Sequence, residues 1–164
     1  MATGLSDDDL RHLRRCLDLA EQALDAGDEP FGSVLVDADG HQLTEDHNHV
    51  NTAGDQTAHP EIAVARWAEA NLGPEQRAAC TVYTSGEHCP MCAAAHGWVG
   101  LGRIVYVHSS EQLTHWRTEL GLLPSPVKPL PIQQVVPKVM VDGPVEELVD
   151  AMHELHARYA QRAR

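Results

Sequence analysis

Two short motifs carry the chemistry of this chain: His59-Pro60-Glu61 and Cys89-Pro90-Met91-Cys92. They supply one imidazole and two thiols, a donor set that suits Zn²⁺ and leaves one position of its tetrahedron open. Glu61 is not needed as a ligand. Zinc in such a site lowers the pKa of water toward about 7 and makes a nucleophile available at neutral pH. A carboxylate two residues from His59 can then take a proton from that water, hand it to a ring nitrogen and later protonate a leaving amine. Attack at an amino-bearing ring carbon followed by loss of ammonia is hydrolytic deamination. The same residues have other readings: a redox C-x-x-C pair, a structural zinc site closed by His88, and Glu61 as a favourable charge in the first turn of a helix.

Elements must bring these side chains together. Pro60 and Pro90 each suit the first position of a helix, where the missing N–H would have no helical partner. The predicted helices run from Pro60 to about Leu72, where Gly73-Pro74 ends the first, and from Pro90 to about Val99. Cys89 then stands near an N-cap and Cys92 one turn in, where positive potential favours thiolates. If the two helix starts face each other, His59, Cys89 and Cys92 converge.

The rest of the pattern is alternating. Ser6 and Asp9 form a capping-box signal ahead of leucines at helical spacing, from Leu10 to Leu24, with Gly27 as the stop. Strands are expected over Phe31 to Val36, across the Asp39-Gly40 turn over Gln42 to Asn48, then over Thr81 to Thr84 and Arg103 to Val107. Asn51 to Thr57 reads as a polar loop, Glu111 to Leu120 as a helix and Pro124 to Pro131 as an extended connection. Ile132 to Val136 reads as a fifth strand, and Gly143-Pro144 opens a last helix from Val145 to about Gln161. Helices between strands predict an α/β domain of three layers.

The bulk numbers exclude several function classes. The 164 residues suit one domain with a core; 43% are hydrophobic and 22% charged, an ordinary globular balance. A formal net charge of −12 opposes binding to nucleic-acid phosphates. The only grouped arginines are Arg11, Arg14 and Arg15. The first residues carry no basic stretch leading into an apolar one, so no secretion signal is expected. No apolar run reaches the length of a membrane span. Four cysteines without such a signal fit a reducing, cytoplasmic setting better than a disulfide framework. Cys16 and Cys80 read as small buried hydrophobes. Trp67 and Trp116 read as packing residues. His41, His47 and His49 read as surface residues, and His153-Glu154-Leu155-His156 as a solvated helix face.

The H-x-E and P-C-x-x-C pair resembles the signature of zinc-dependent cytidine and deoxycytidylate deaminases. Further segments extend the likeness toward the bacterial guanine deaminases and other nucleobase deaminases. Glu29 to Val36 is similar to their first strand. Asn48 stands 11 residues before His59, as does a base-contacting Asn there, and Thr84 to Cys92 is similar to the guanine version of the second motif. The resemblance covers roughly Leu10 to Leu120. It implies a three-layer α/β/α fold of the cytidine deaminase type, with a five-stranded mixed sheet and helices on both faces. It also implies a single deaminase domain over residues 1–164, with its core at about 6–121 and a C-terminal extension at 122–164.

By the same resemblance His59, Cys89 and Cys92 bind Zn²⁺ and Glu61 shuttles protons. Asn48 would hydrogen-bond the base, Phe31 and Trp98 would line or stack on its ring, and Glu119 or Glu111 would hold a purine. Phe31 and Trp98 also fit a core role, and Asn48 a turn. Pro60 stands where relatives often have Ala and lacks the backbone N–H that can hold a substrate carbonyl. The implied reaction is hydrolytic deamination of a free base, guanine first, with cytosine, aminopyrimidines, aminotriazines or nucleosides as alternatives. The partners are then a small base and water, in a homodimer. An editing activity on tRNA adenosine is disfavoured by charge, and a zinc-stabilised interaction domain needs no Glu61.

Overall fold

The computed structural model describes residues 4–163. Helix α1 spans Asp7–Ala26. Ser6 Oγ accepts the Asp9 N–H at 3.1 Å, and Asp9 Oδ2 accepts the Ser6 N–H at 2.8 Å. Gly27 ends the helix at φ 95°, a left-handed conformation that glycine adopts without steric cost. Strands β1 (Gly32–Val36) and β2 (Gln42–His47) follow as an antiparallel hairpin. Next come α2 (Val50–Ala53), α3 (Pro60–Asn71), α4 (Pro74–Ala79), β3 (Thr81–Gly86), α5 (Pro90–Val99), β4 (Ile104–His108) and α6 (Ser110–Glu119). The chain closes with α7 (Ile132–Val135), β5 (Val141–Asp142) and α8 (Glu146–Arg162).

The five strands form one mixed sheet in the order β2-β1-β3-β4-β5, antiparallel as far as β3 and parallel beyond it. Alternating side chains face opposite layers. Val34, Val36, Tyr83, Val105 and Val107 pack with Leu13, Leu19 and Leu24 of α1 and with Leu148 and Met152 of α8. Leu35 and Val82 pack on Val64, Ala65 and Ala68 of α3. Ile104 and Tyr106 pack on Ala93 of α5 and Ile132 of α7. The predicted α/β/α layering and five-stranded mixed sheet are the observed ones.

Two expectations are corrected, and a third is extended. The apolar run Ile132 to Val136 is not the fifth strand. Ile132–Val135 forms the short α7, whose first N–H is taken by Glu87 Oε2 at 2.8 Å, while Val141–Asp142 pairs with β4 instead. The polar loop Asn51 to Thr57 begins within α2, because Asp28 Oδ1 accepts the N–H groups of Asn51 and Thr52 at 2.9 and 2.8 Å. Gly73-Pro74 ends α3 as expected and also starts α4, with Pro74 at a position where proline is favoured.

The register decides where a site can form. Ser33 of β1 lies opposite Thr84 of β3, Gly32 opposite His47 of β2, and Gly86 opposite His108 of β4. The start of β1 and the ends of β2, β3 and β4 therefore share one edge of the sheet. This is the carboxyl edge of the parallel strands, where open α/β sheets bind ligands.

At the other end a partly buried network ties the layers. Tyr83 Oη donates to Asp9 Oδ1 at 2.6 Å, and Arg103 reaches Asp9 at 2.9 Å and Asp142 at 2.7 Å. Burial opposes ionisation of Asp9, yet the Arg103 and Tyr83 donors outweigh it and hold the carboxyl at about 2.

Candidate active site

His59 and Cys89 are built alike. Each is the extended N-cap of a helix whose first residue is proline, at φ −88° and ψ 144° for His59 and φ −65° and ψ 165° for Cys89. Proline disfavours helical geometry in the residue before it, so both side chains leave the helix axis at its start. The two helices pack side by side through small residues of α3 and the last turn of α5, including Ala65, Ala68, Ala95 and Val99. Their N-termini meet at the carboxyl end of β3.

His59 Nδ1 lies 3.6 Å from Cys89 Sγ and 3.5 Å from Cys92 Sγ. One donor atom from each residue falls within 4.8 Å of the others. Cys92 is buried, and the other two are half-buried. Hydrogen bonding from Cys92, aided by His59, holds the Cys89 thiol at about 4. The bond to Cys89 in turn raises His59 to about 9. Cys92 is pushed upward by its bond to Cys89 and by burial beside Glu61. One imidazole ring and two sulfurs thus converge at two helix N-termini, and with the protons of His59 and Cys92 released they form a donor set that fits Zn²⁺.

Glu61 stands beside this triad and outside it. It is 6% exposed. Thr84 Oγ1 donates to its Oε1 at 3.3 Å, and Cys92 Sγ to its Oε2 at 3.7 Å. Burial pushes its pKa up to about 7, against the opposite pull of His59 and Thr84. A carboxyl tuned near neutrality can both accept and release a proton. Thr84 is itself held by Ser33, whose Oγ donates to Thr84 Oγ1 at 2.9 Å.

The other expected residues divide. Asn48 is 1% exposed, its N–H bonds Phe31 O at 3.0 Å, and its Oδ1 accepts the Val50 N–H at 2.9 Å. It is therefore a turn residue whose Nδ2 has no hydrogen bond among the described residues. Phe31 lies at the same edge, 5.1 Å from the ring of His156. Pro60 is buried as the first residue of α3. Trp98 is not brought to the site: it is 91% exposed on α5. Glu119 is also turned away, toward His115 at 3.5 Å and His153 at 3.8 Å, and Glu111 is exposed. His88 does not close the metal site; its ring packs on His96 at 5.4 Å.

Sequence reasoning missed Ser33, Thr84 and Glu29. The first two are polar residues inside apolar central strands, which is the one signal that could have found them. Glu29 is half-buried within electrostatic reach of Arg117 and His59, and burial raises its carboxyl. The motif His153 to His156 is also misread as solvated, since Leu155 and His156 are buried.

Residues 6–108 match the family described as the cytidine and deoxycytidylate deaminase zinc-binding region. The chain belongs to this deaminase family. Zinc is the family's metal, and His59, Cys89 and Cys92 are placed to hold it. A probable cytosine deaminase of Schizosaccharomyces pombe is 36% identical over 124 residues, 75% of this chain and 74% of that protein. Guanine deaminase of Bacillus subtilis is 41% identical over 95 residues, covering 57% of this chain and 60% of that enzyme. A solved structure of Bacillus subtilis guanine deaminase superposes with a TM-score of 0.59 at 29% identity, covering 81% of this chain and 91% of that one. A tRNA-specific adenosine deaminase of Agrobacterium fabrum is 38% identical over 87 residues, 53% of this chain and 57% of that protein.

Proposed function

We propose that this deaminase acts hydrolytically on a free nucleobase, guanine first, and releases ammonia. The observation that carries the reading is Glu61: a buried carboxyl near neutrality, beside three convergent metal donors yet not one of them. Guanine is favoured by the Thr84 to Cys92 segment and by the 41% identity to the Bacillus subtilis enzyme; cytosine follows from the Schizosaccharomyces pombe relative.

Zinc held by His59, Cys89 and Cys92 would supply Lewis-acid activation of water at neutral pH. Glu61 takes one proton of that water and delivers it to the ring nitrogen beside the amino-bearing carbon; it then takes the second proton, from the hydroxyl now on that carbon, and passes it to the departing amine. Water adds to carbon, the carbon–nitrogen bond breaks, and ammonia leaves. Thr84 fixes Glu61 Oε1, so Oε2 is the oxygen nearer the triad that moves the proton. Asn48 Nδ2 is a free donor for a ring carbonyl, and Phe31 offers a flat face to the ring. Pro60 provides no backbone donor, which leaves carbonyl recognition to Asn48.

The test is ammonia release by the zinc-loaded protein from guanine, cytosine, adenine, their nucleosides and aminotriazines. Turnover of guanine above the others supports the reading, and release from none of them overturns it. The Agrobacterium relative favours a second reading, deamination of adenosine in tRNA. Against it, Arg11, Arg14 and Arg15 are each paired with a carboxylate, from Asp8, Glu147 and Glu45. Tight tRNA binding at low salt in a gel shift would reverse this ranking.

A cytoplasmic setting and a homodimer complete the proposal. The four cysteines are free thiols, and among the described residues no helix is long and apolar enough to cross a membrane. The exposed Trp98, beside the second motif, is the residue we assign to the contact between copies.

A further inference from the structure

A second polar cluster lies at the edge of the sheet that holds the metal donors. His156, on α8, meets Phe31 nearly edge-on at 5.1 Å between ring centroids. His108, the last residue of β4, lies 6.3 Å from Phe31 and 5.1 Å from His156. Trp116 of α6 backs both, at 4.9 Å from His108 and 5.7 Å from His156. The two histidines are 1% and 5% exposed. The Nε2 of each is buried and has no hydrogen-bond partner among the described residues. Leaving such an atom unpaired inside a protein is destabilising, and here both histidines border the same aromatic ring.

The chemistry of His108 can be specified further. Its Nδ1 lies 3.3 Å from the carbonyl of Ser109. A carbonyl only accepts, so Nδ1 carries the proton and Nε2 is a lone pair. Burial keeps the ring neutral, with its pKa pushed down to about 4. Its placement depends on Gly86 opposite: a Cβ there would come within 2.5 Å of the His108 ring. The cluster is thus a built acceptor that calls for an N–H or O–H donor.

In guanine and in cytosine, the ring nitrogen that carries the sugar in a nucleoside is removed from the amino-bearing carbon, on another edge of the base. In the free base that nitrogen bears N–H. We infer that His108 Nε2 accepts this N–H, with His156 beside it filling the space a sugar would need, so that the site selects free bases and rejects nucleosides. The inference rests on the deaminase reading above and deepens it. It makes His108 and His156 specificity residues and makes α8 part of the substrate site.

The test compares guanine with 9-methylguanine and cytosine with 1-methylcytosine as substrates of the zinc-loaded wild type, His108→Phe, His108→Gln and His156→Phe. A site that hydrogen-bonds a substrate N–H rejects the analogue lacking it by a large factor. The wild type should prefer the unmethylated base by about 100-fold or more in kcat/KM. His108→Phe should shrink that ratio at least about tenfold, mainly by raising KM for the free base, and His108→Gln, whose amide oxygen can accept, should restore part of it. His156→Phe keeps the bulk and should leave rejection of the methyl group largely in place. Equal use of methylated and free bases by the wild type overturns the inference, whatever the variants do. An unchanged ratio in folded, zinc-loaded His108→Phe overturns it too. If the wild type releases ammonia from none of the four compounds, the deaminase reading itself fails and takes the inference with it.

Discussion

Two regions at one edge of the sheet use histidine in opposite electrostatic states. On one side His59 is raised to about 9 by the Cys89 thiolate against it. On the other, burial lowers His108 to about 4 and drives His156 well below its ordinary value. The first ring sits at paired helix N-termini beside the Cys89 thiolate, and the others sit among Phe31, Trp116 and one another. Neighbours, not residue type, decide which histidine belongs with metal and charge and which reads a neutral ring. The two sides share one sheet edge because β1 runs antiparallel to β3 while β3 and β4 run parallel.

Substitutions can break this contrast most sharply at the triad. His59→Ala should lose stoichiometric zinc and with it activity by about 10³-fold or more, whereas His156→Ala should keep its zinc. Metal analysis by plasma emission alongside ammonia release checks both, and equal zinc loss in the two variants would erase the distinction.

Asp9→Asn comes next and serves as a control far from both sides. Removing the Asp9 charge from the partly buried Arg103 network should cost about 1–3 kcal/mol of stability with kcat nearly unchanged. The sign with pH follows from its folded pKa of about 2, below the ordinary 3.8. The stabilisation is complete above the unfolded value and is lost as pH falls toward about 2. Urea melts at pH 6 and pH 2.5 should show wild type and variant converging at the acid end. A constant gap would show that Asp9 acts through packing alone.

Thr84→Val should lower kcat about fivefold, the value of one hydrogen bond to Glu61 Oε1 of about 1 kcal/mol. A matching shift in the pH profile would place the effect at Glu61 and not at the ring-reading side. Trp98→Ala should change stability by less than about 0.5 kcal/mol in the monomer, because the side chain is almost wholly exposed. Its effect should appear in sedimentation, as a shift toward monomer, and an unchanged assembly state would remove Trp98 from the dimer contact.

The triad side was legible in the sequence because its signals are local. Proline at the first position of α3 and α5 marks both helix starts, and each ligand is adjacent or one turn away. The capping box of α1 and the β1–β2 hairpin are local in the same way. The ring-reading side was not legible, since it joins Phe31, His108, Trp116 and His156 across most of the chain. His156 looked like part of a solvated face because helical periodicity alone does not say which face α8 buries. Ile132 to Val136 had strand composition, yet the Ile132 N–H donates to the Glu87 carboxylate at the start of a helix there, and the short pairing of Val141 with Ile104 completes the sheet. Trp98 shows the converse limit: motif resemblance suggested a pocket aromatic, and the fold turns it outward.

The central claim is that Glu61 moves protons without holding the metal. The most direct measurement is zinc content and ammonia release for Glu61→Gln beside the wild type, on the best base from the substrate screen. The account predicts a full zinc complement and a loss of turnover of about 10³-fold or more. Retained turnover, or zinc lost together with the carboxylate, would contradict it.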